Sequence, residues 1–125
     1  SRGLGDVYKS QGKSTNTGGP GTWRDASDGG WFSYAMKVDP VKPMEVVLTY
    51  SSTDGGNREF EILVDGVKIG EQKLRPETFS TWIDRSYAIP ENLTKGKKEV
   101  TVKVQALPRM IAGGVFGCRV QKQKK

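Results

Sequence analysis

The sequence predicts an all-β protein, an antiparallel β-sandwich or jelly roll of about seven to nine strands. Short segments alternate between apolar and polar residues, which is the period-two pattern of a half-buried strand. Glycine, proline and aspartate separate these segments, as is typical of turns. No stretch longer than a turn shows an apolar repeat of helical period. The pattern therefore favours strands throughout the chain.

The alternation also places the individual strands. Phe32 and Tyr34 alternate with Ser33 in the first clear strand. Asp65 and Gly66 have the two-residue spacing of a hairpin, where a type I′ turn requires a positive φ at both positions. The predicted strands cover residues 32–38, 44–50, 60–64, 67–69, 79–87, 100–106 and 116–120, with a further strand around residues 4–8.

The alternating direction of successive strands predicts at which end of the sandwich each polar connection lies. Because successive strands of an antiparallel sandwich reverse direction, alternate connections lie at the same end. One end, which we call the loop pole, receives the glycine-rich and polar segments 23–30, 54–58, 75–78 and 108–114. The opposite end receives ordinary connectors. Loops on a rigid scaffold are where binding groups concentrate, so the loop pole is the predicted functional site.

Length and charge limit the classes of function. The chain has 125 residues, enough for one domain over residues 1–125, and its formal net charge is +6. The basic residues cluster at 95–98 and in a tail over 119–125, without aromatic residues to stack bases, so we expect solvated segments and no nucleic-acid partner. No apolar run approaches the ~20 residues of a membrane span. The start at Ser1 without a signal pattern suggests a piece of a longer protein.

The sequence argues against catalysis by this chain alone. It contains no histidine, which removes the usual base of serine and cysteine triads and the usual zinc ligand. A carboxylate pair could still cleave a glycosidic bond, but no local pattern identifies the acid. The single cysteine, Cys118, cannot form an internal disulfide and is predicted to be buried. No cofactor is expected, although Asp28, Asp54 and Asn57 could contribute ligands to Ca²⁺.

The loop pole has the residue types of a sugar site. Aromatic faces cover the apolar C–H patches of sugars, while planar polar side chains pair with hydroxyl groups. The candidate residues for carbohydrate binding or docking are Trp23, Arg24, Asp25, Asp54, Asn57 and Arg58. An internal ion pair between Asp25 and Arg58 that holds the loops together is the alternative. Trp31 and Trp82 could each belong to the core, cover a sheet edge or form a docking surface.

Several runs of residues resemble a known family. The runs begin at residues 23–26, 30–34 and 37–40 and continue through 49–50, 54–58, 62–66, 93–97 and 112–117. Over residues 23–119 the chain resembles the region that follows the catalytic domain in bacterial β-L-arabinofuranosidase-type glycoside hydrolases. One departure is Ser51-Ser52 after Tyr50, where the family pattern has an aromatic residue. An aromatic platform beside the Asp54 loop is therefore not expected.

The resemblance implies an accessory β-sandwich, similar to galactose-binding-like domains, attached to an α-helical toroid in the C-terminal part of a larger glycoside hydrolase. The family's catalytic glutamate and zinc-binding cysteines lie in the toroid and have no counterpart here. The implied partners are the catalytic domain of the same polypeptide and arabinose- or galactose-containing glycans. The implied location of the parent protein is extracytoplasmic, periplasmic or secreted.

Two functions of different class follow from these expectations. As a binding module, the domain would hold a sugar at the loop pole, and a concave pocket with Trp23, Asp25 and Asn57 would favour it. As a structural module, the domain would dock on the catalytic domain and stabilise it. An exposed apolar patch around Trp31 or Trp82 would favour docking, because interfaces of that kind have apolar centres.

Overall fold

Two five-stranded antiparallel sheets pack face to face in the computed structural model. The structure describes residues 8–11, 14–17, 24–27, 29–51, 58–75 and 81–123. Sheet A has the strand order β1-β4-β9-β6-β7, and sheet B has the order β2-β3-β10-β5-β8. This arrangement confirms the predicted antiparallel β-sandwich. The strands are β1 (Tyr8–Gln11), β2 (Ser14–Thr17), β3 (Arg24–Ser27), β4 (Trp31–Lys37), β5 (Met44–Ser51), β6 (Arg58–Val64), β7 (Val67–Leu74), β8 (Trp82–Ala88), β9 (Glu99–Ala106) and β10 (Ile111–Lys122), and the one described helix is α1 (Glu91–Thr94).

The core lies between the sheets, where the apolar positions of the alternating pattern face one another. In β6, for example, Phe60, Ile62 and Val64 are fully buried, while Glu59 and Glu61 lie on the outer face. Burial of each such apolar side chain contributes about 1.5–3 kcal/mol relative to exposure. The largest fully buried side chains are Tyr50, Phe32, Phe60, Met36, Leu48 and Ile62.

A chain of hydrogen bonds joins the two sheets on the side of their edge strands. The hydroxyls of Tyr50 and Tyr87 lie 2.8 Å apart, and the Tyr87 hydroxyl donates to Gln72 Oε1 at 2.8 Å. Gly70 allows this packing, because a Cβ there would lie 2.8 Å from the Tyr87 ring. Burial raises the pKa of Tyr50 well above its usual value and that of Tyr87 to about 12. Both phenols therefore stay protonated in the folded protein at ordinary pH.

The predicted hairpin at Asp65 and Gly66 is confirmed. Asp65 has φ 48° and Gly66 has φ 84°, the signs that a type I′ turn requires. The Asp65 side chain accepts a hydrogen bond from the backbone N–H of Thr101 at 2.8 Å and one from Lys97 Nζ at 2.7 Å. The turn between β6 and β7 is thereby anchored to β9.

Three segments form strands where loops or a tail were expected. Residues 24–27 were predicted within a loop but form β3, which pairs with β2 on one side and β10 on the other. Residues 111–114 were predicted within the loop 108–114 but belong to β10. Part of the segment predicted as a basic tail, residues 119–125, is also a strand, because Arg119 and Lys122 pair with Val47 and Met44 of β5. These ladders outweigh a weak local preference, since strand formation depends on cross-strand partners.

Strand β10 accommodates its glycines through irregular pairing. Its register shifts between Gly113 and Val115 against β3, and again between Val115 and Gly117 against β5. Such bulges add a residue to one strand and often contain glycine. Cys118, on the same strand, is 2% exposed, which confirms the predicted burial of its thiol.

Strand β2 was not predicted, because its residues, all serine, threonine or asparagine, show no apolar alternation. Strand β1 begins at Tyr8, whereas residues 4–7 of the predicted first strand lie outside the described residues. Within the described ranges, no helix has the length and apolar character needed to cross a membrane.

Candidate functional site

The described strand ends converge at the loop pole as the alternating strand direction predicts. The connections from β4 to β5 and from β8 to β9 cross between the sheets at the opposite end. The connections from β1 to β2, from β3 to β4, from β5 to β6, from β7 to β8 and from β9 to β10 cross at the loop pole. The start of β4 lies there as well. The paired residues at these ends are Trp31 with Gln105, Arg58 with Leu74, Phe60 with Ala106, and Ser51 with Trp82.

The structure places three of the six candidate residues. Arg58 is the first residue of β6 and is half-buried. Arg24 and Asp25 lie in β3 rather than in a loop, and Arg24 is level with Tyr50 near the end of β5, because Val115 pairs with both. The backbone of Arg24 and Asp25 therefore lies at the loop-pole end of sheet B, and Arg58 at that end of sheet A. Trp23, Asp54 and Asn57 lie outside the described residues.

Hydrogen bonds fix the strand ends below the loops. Ala106 donates its backbone N–H to the Gly30 carbonyl at 2.9 Å, and Leu107 donates to the Glu59 carbonyl at 3.1 Å. The side chain of Glu59 accepts from Arg75 Nη2 at 3.0 Å. These bonds link β4, β6 and β9 to the ends of neighbouring strands, so the loop pole rests on a rigid base.

A strained turn lies at the loop pole beside these bonds. Met110 donates its N–H to the Leu107 carbonyl at 3.0 Å, which closes a turn with Pro108 and Arg109 at its centre. Arg109 has φ 64°, a left-handed conformation that costs about 1–2 kcal/mol for a residue with a Cβ. Proline at the second position and positive φ at the third are typical of a type II turn, which normally has glycine at the third. Strain of this kind is concentrated at functional sites.

Arg109 was not among the candidate residues, although the segment that contains it was singled out. The dipeptide Pro108-Arg109 is compatible with many turns, so the sequence shows no sign that an arginine occupies the left-handed position. The position of the exposed Arg109 at the loop pole was therefore found only from the structure.

Trp31 and Trp82, for which the sequence left several interpretations open, differ in exposure and in their surroundings. Trp31 is half-buried on the outer face of sheet A, where Lys103 Nζ lies 4.8 Å from its ring centroid in a cation–π contact. Trp82, the first residue of β8, is 64% exposed at the loop pole. The other large hydrophobic side chains exposed in the described residues, Val41 and Val67, lie at the opposite end. Among the described residues, no other exposed large hydrophobic side chain therefore lies at the same end as Trp82.

No metal centre emerges from the described part of the chain. There, no group of three or more histidine, cysteine, aspartate or glutamate side chains is placed to hold an ion. The calcium hypothesis depends on Asp28, Asp54 and Asn57, which lie outside the described residues.

Comparison with known families and structures adds two findings. The profile of DUF6805, a family of unknown function, matches residues 7–121. A comparison with curated protein sequences finds no match.

Several solved structures share the fold. The CBM36-1 domain of a multidomain xylanase from the hindgut metagenome of Trinervitermes trinervoides has a TM-score of 0.63 at 10% identity, covering 96% of this chain and 99% of that one. A family 36 carbohydrate-binding module in complex with calcium and xylotriose has a TM-score of 0.58 at 14% identity, with coverage of 94% and 98%. A family 35 module from Paenibacillus barcinonensis has a TM-score of 0.57 at 12% identity, with coverage of 96% and 94%. The chain therefore has the galactose-binding-like β-sandwich of carbohydrate-binding modules.

Proposed function

We propose that this chain, which belongs to the DUF6805 family, is a non-catalytic accessory domain of a glycoside hydrolase that binds carbohydrate at its loop pole. The observation that carries the proposal is that five inter-sheet connections, β1–β2, β3–β4, β5–β6, β7–β8 and β9–β10, meet at one end of the sandwich, where hydrogen bonds fix the strand ends. Connections held on a fixed scaffold are where binding groups concentrate.

Each candidate residue has a role in this proposal. Trp23 stacks on a sugar ring, while Asp25, Asp54 and Asn57 form hydrogen bonds with sugar hydroxyls. Arg24 and Arg58 add charge-assisted bonds, which are shorter and stronger than neutral ones. The exposed Arg109 lies in a turn at the same end. Together these side chains offer donors and acceptors in the mixture that a polyhydroxylated ligand requires.

Two likenesses support a sugar as the ligand. The fold is shared with carbohydrate-binding modules, and one of these is in complex with calcium and xylotriose. The sequence resembles the region after the catalytic domain of β-L-arabinofuranosidase-type hydrolases. We therefore propose arabinose- or galactose-containing glycans as ligands, the catalytic domain of the same polypeptide as a partner, and an extracytoplasmic location for the parent protein.

Docking on the catalytic domain is the competing function. Stable interfaces have apolar centres, and an apolar patch around Trp82 would have favoured docking. Trp82 is exposed, but its outward-facing neighbours on the sheet are polar, namely Ser51, Thr49 and Asp84. This surrounding favours a hydroxyl-rich ligand over an apolar protein surface.

The test is a backbone-amide NMR titration of the chain with arabinose- and galactose-containing oligosaccharides, with and without Ca²⁺. We expect saturable shifts in residues 23–28, 54–58 and 109–114. Asn57→Ala should weaken binding about tenfold if the amide pairs with a hydroxyl, since 1.4 kcal/mol corresponds to tenfold.

The matched control is Asn92→Ala, which removes an exposed asparagine from α1 at the opposite end of the sandwich. It should leave the affinity unchanged. An absence of shifts at millimolar sugar would overturn sugar binding for these ligands. A titration with the isolated catalytic domain would then test docking.

A further inference from the structure

A hydrogen-bonded row of polar side chains crosses the outer face of sheet B, away from the core. Thr49 Oγ1 donates to Asp84 Oδ1 at 2.6 Å, and Arg119 Nη2 lies 3.5 Å from Asp84 Oδ2. Arg119 Nε donates to Gln121 Oε1 at 3.1 Å, and Gln121 Nε2 donates to Glu45 Oε2 at 2.7 Å. We call these five residues the polar row.

Arg119 extends across a strand to complete the polar row. It pairs with Val47 on β5, whereas Asp84 belongs to β8 on the far side of β5. Neighbouring strands lie about 4.8 Å apart, so the side chain spans roughly two strand spacings. Val47 faces outward by its register but is only 2% exposed, as expected if the stem of Arg119 lies over it. The ion pair with Asp84 and the hydrogen bond to Gln121 hold the guanidinium on the outer face of the sheet.

Trp82 lies at one end of the polar row. It pairs with Ser51, and Asp84 pairs with Thr49, so the two β8 side chains point to the same face at about 6.6 Å along the strand. Trp82 is 64% exposed, and the Asp84 side chain is 52% exposed. The surface therefore combines an exposed tryptophan side chain with an exposed carboxylate.

At Gly117, no side chain projects from the surface beside the polar row. Gly117 pairs with Thr49 on the outer face, and a Cβ at this position would lie 3.3 Å from Thr49 Oγ1. With no side chain at residue 117, the threonine and the carboxylate behind it stay open from the β10 side. A ring stacked near Trp82 could lie against the backbone there.

We propose that Trp82, where β8 begins at the loop pole, and the polar row form a second carbohydrate-binding surface for neutral oligosaccharides, which extends along the outer face of sheet B and does not use the candidate residues of the loop pole. Trp82 stacks on one sugar ring, and Asp84 and Arg119 pair with the hydroxyls of that ring or the next one. Among the described residues, Arg119 uses only Nε and Nη2, which leaves Nη1 available to donate.

The charges of the polar row favour a neutral ligand. It has two carboxylates, Asp84 and Glu45, and one cation, Arg119, which pairs with Asp84. The hydrogen bond from Thr49 and the charge of Arg119 lower the pKa of Asp84, so this carboxylate stays ionised in mildly acidic solution. A uronic acid would meet net negative charge, whereas sugar hydroxyls both donate and accept.

The test is an NMR titration of the chain with xylotriose and with arabinotriose, followed at backbone amides and at the tryptophan indole N–H groups. We expect saturable shifts at the Trp82 indole and at the amides of Asp84 and Gly117. Trp82→Ala should lower the affinity about tenfold, the effect of removing a stacking anchor. Asp84→Asn keeps an acceptor for Thr49 but removes the charge, so it should weaken binding severalfold.

Val41→Ala is the matched control, because Val41 is 77% exposed at the opposite end of the sandwich. It should leave the affinity unchanged. Shifts confined to residues 23–28, 54–58 and 109–114, with normal affinity in Trp82→Ala, would overturn this second surface and leave the proposed function intact. Shifts confined to Trp82 and the polar row, with an affinity that Asn57→Ala does not change, would support the second surface and overturn sugar binding by the candidate residues of the loop pole. No shifts with either trisaccharide at millimolar concentration would overturn the second surface.

Discussion

At the scale of single residues, Arg109 has a strained backbone conformation at the loop pole. Its φ of 64° places a residue with a Cβ where glycine is normally found. Glycine would remove about 1–2 kcal/mol of strain, offset by about 0.4–1 kcal/mol of additional entropy in the unfolded chain. The arginine therefore persists at a cost to folding, which fits a role of its side chain in binding.

We expect Arg109→Gly to raise the free energy of unfolding by about 0.5–1 kcal/mol, because it relieves this strain. Urea denaturation of the two proteins measures the difference. Arg109→Ala is the control, since it removes the same side chain and keeps the strained backbone. The strain argument fails if Arg109→Gly is no more stable than Arg109→Ala. Weaker sugar binding in both variants would add Arg109 to the site.

At the scale of elements, the β6–β7 hairpin depends on Asp65 in two ways. Its backbone adopts φ 48°, which aspartate and asparagine tolerate better than alanine. Its side chain accepts from the backbone of Thr101 and from Lys97, so it also connects the turn to β9. The hairpin is thus positioned by a contact distant in sequence as well as by its turn.

Asp65→Ala should lower the free energy of unfolding by about 1–3 kcal/mol, because it loses both acceptor bonds and adds strain in the turn. Asp65→Asn is the matched variant. It keeps an acceptor for Thr101 and tolerates positive φ, and it loses only the exposed ion pair with Lys97, worth about 0–1 kcal/mol. Thermal or urea unfolding of both variants measures the contrast. Equal losses in the two would show that the ion pair, not the turn, stabilises the hairpin.

At the scale of the whole molecule, the two sheets are joined by the apolar core and by the hydrogen bond from the Tyr87 hydroxyl in sheet B to Gln72 in sheet A, and Tyr87 is also bonded to Tyr50 within sheet B. Burial raises the pKa of Tyr87 from 10.0 to about 12, and that of Tyr50 well above 10.0. Between pH 10, where a tyrosine of the unfolded chain loses its proton, and about pH 12, where Tyr87 loses it in the folded protein, the folded protein binds more protons than the unfolded chain. The free energy of unfolding must then fall as pH rises through this range.

We expect stability to decline from about pH 10 towards pH 12 more steeply than in the double variant Tyr50→Phe with Tyr87→Phe. Lysine deprotonation is common to both proteins, so the difference between their slopes reports the tyrosines. Urea denaturation at closely spaced pH values measures the two slopes. Equal slopes would show that the phenols ionise in the folded state as readily as in the unfolded chain. The double variant should also be less stable at neutral pH, because Gln72 loses its partner.

Much of this architecture could be predicted from local pattern. Alternation located the strands and identified the inward positions of β6, and the spacing of Asp65 and Gly66 predicted the type I′ turn. The alternation of strand direction placed the polar, glycine-rich connections at one end. The resemblance of residues 23–119 predicted a galactose-binding-like sandwich, which the shared fold of solved carbohydrate-binding modules confirms.

The candidate site was less accessible to the same reasoning. Arg24 and Asp25 were expected in a loop, because a short run of polar residues shows no alternation that would mark β3. Trp82 had several interpretations, since periodicity assigns a face to a residue but not the exposure of that face. The strain at Arg109 has no local signal either.

By itself, the sequence determined the strand periods, the faces they bury, the tight turn and the end of the molecule where the polar, glycine-rich connections lie. These features depend on neighbours within a few residues and on the reversal of direction at each connection. Only the tertiary structure decided which distant side chains meet, as Arg119 meets Asp84 across β5 and Tyr87 meets Tyr50 and Gln72 between the sheets. The physical reason is that such contacts depend on strand order and register, which are set by packing of the whole sandwich.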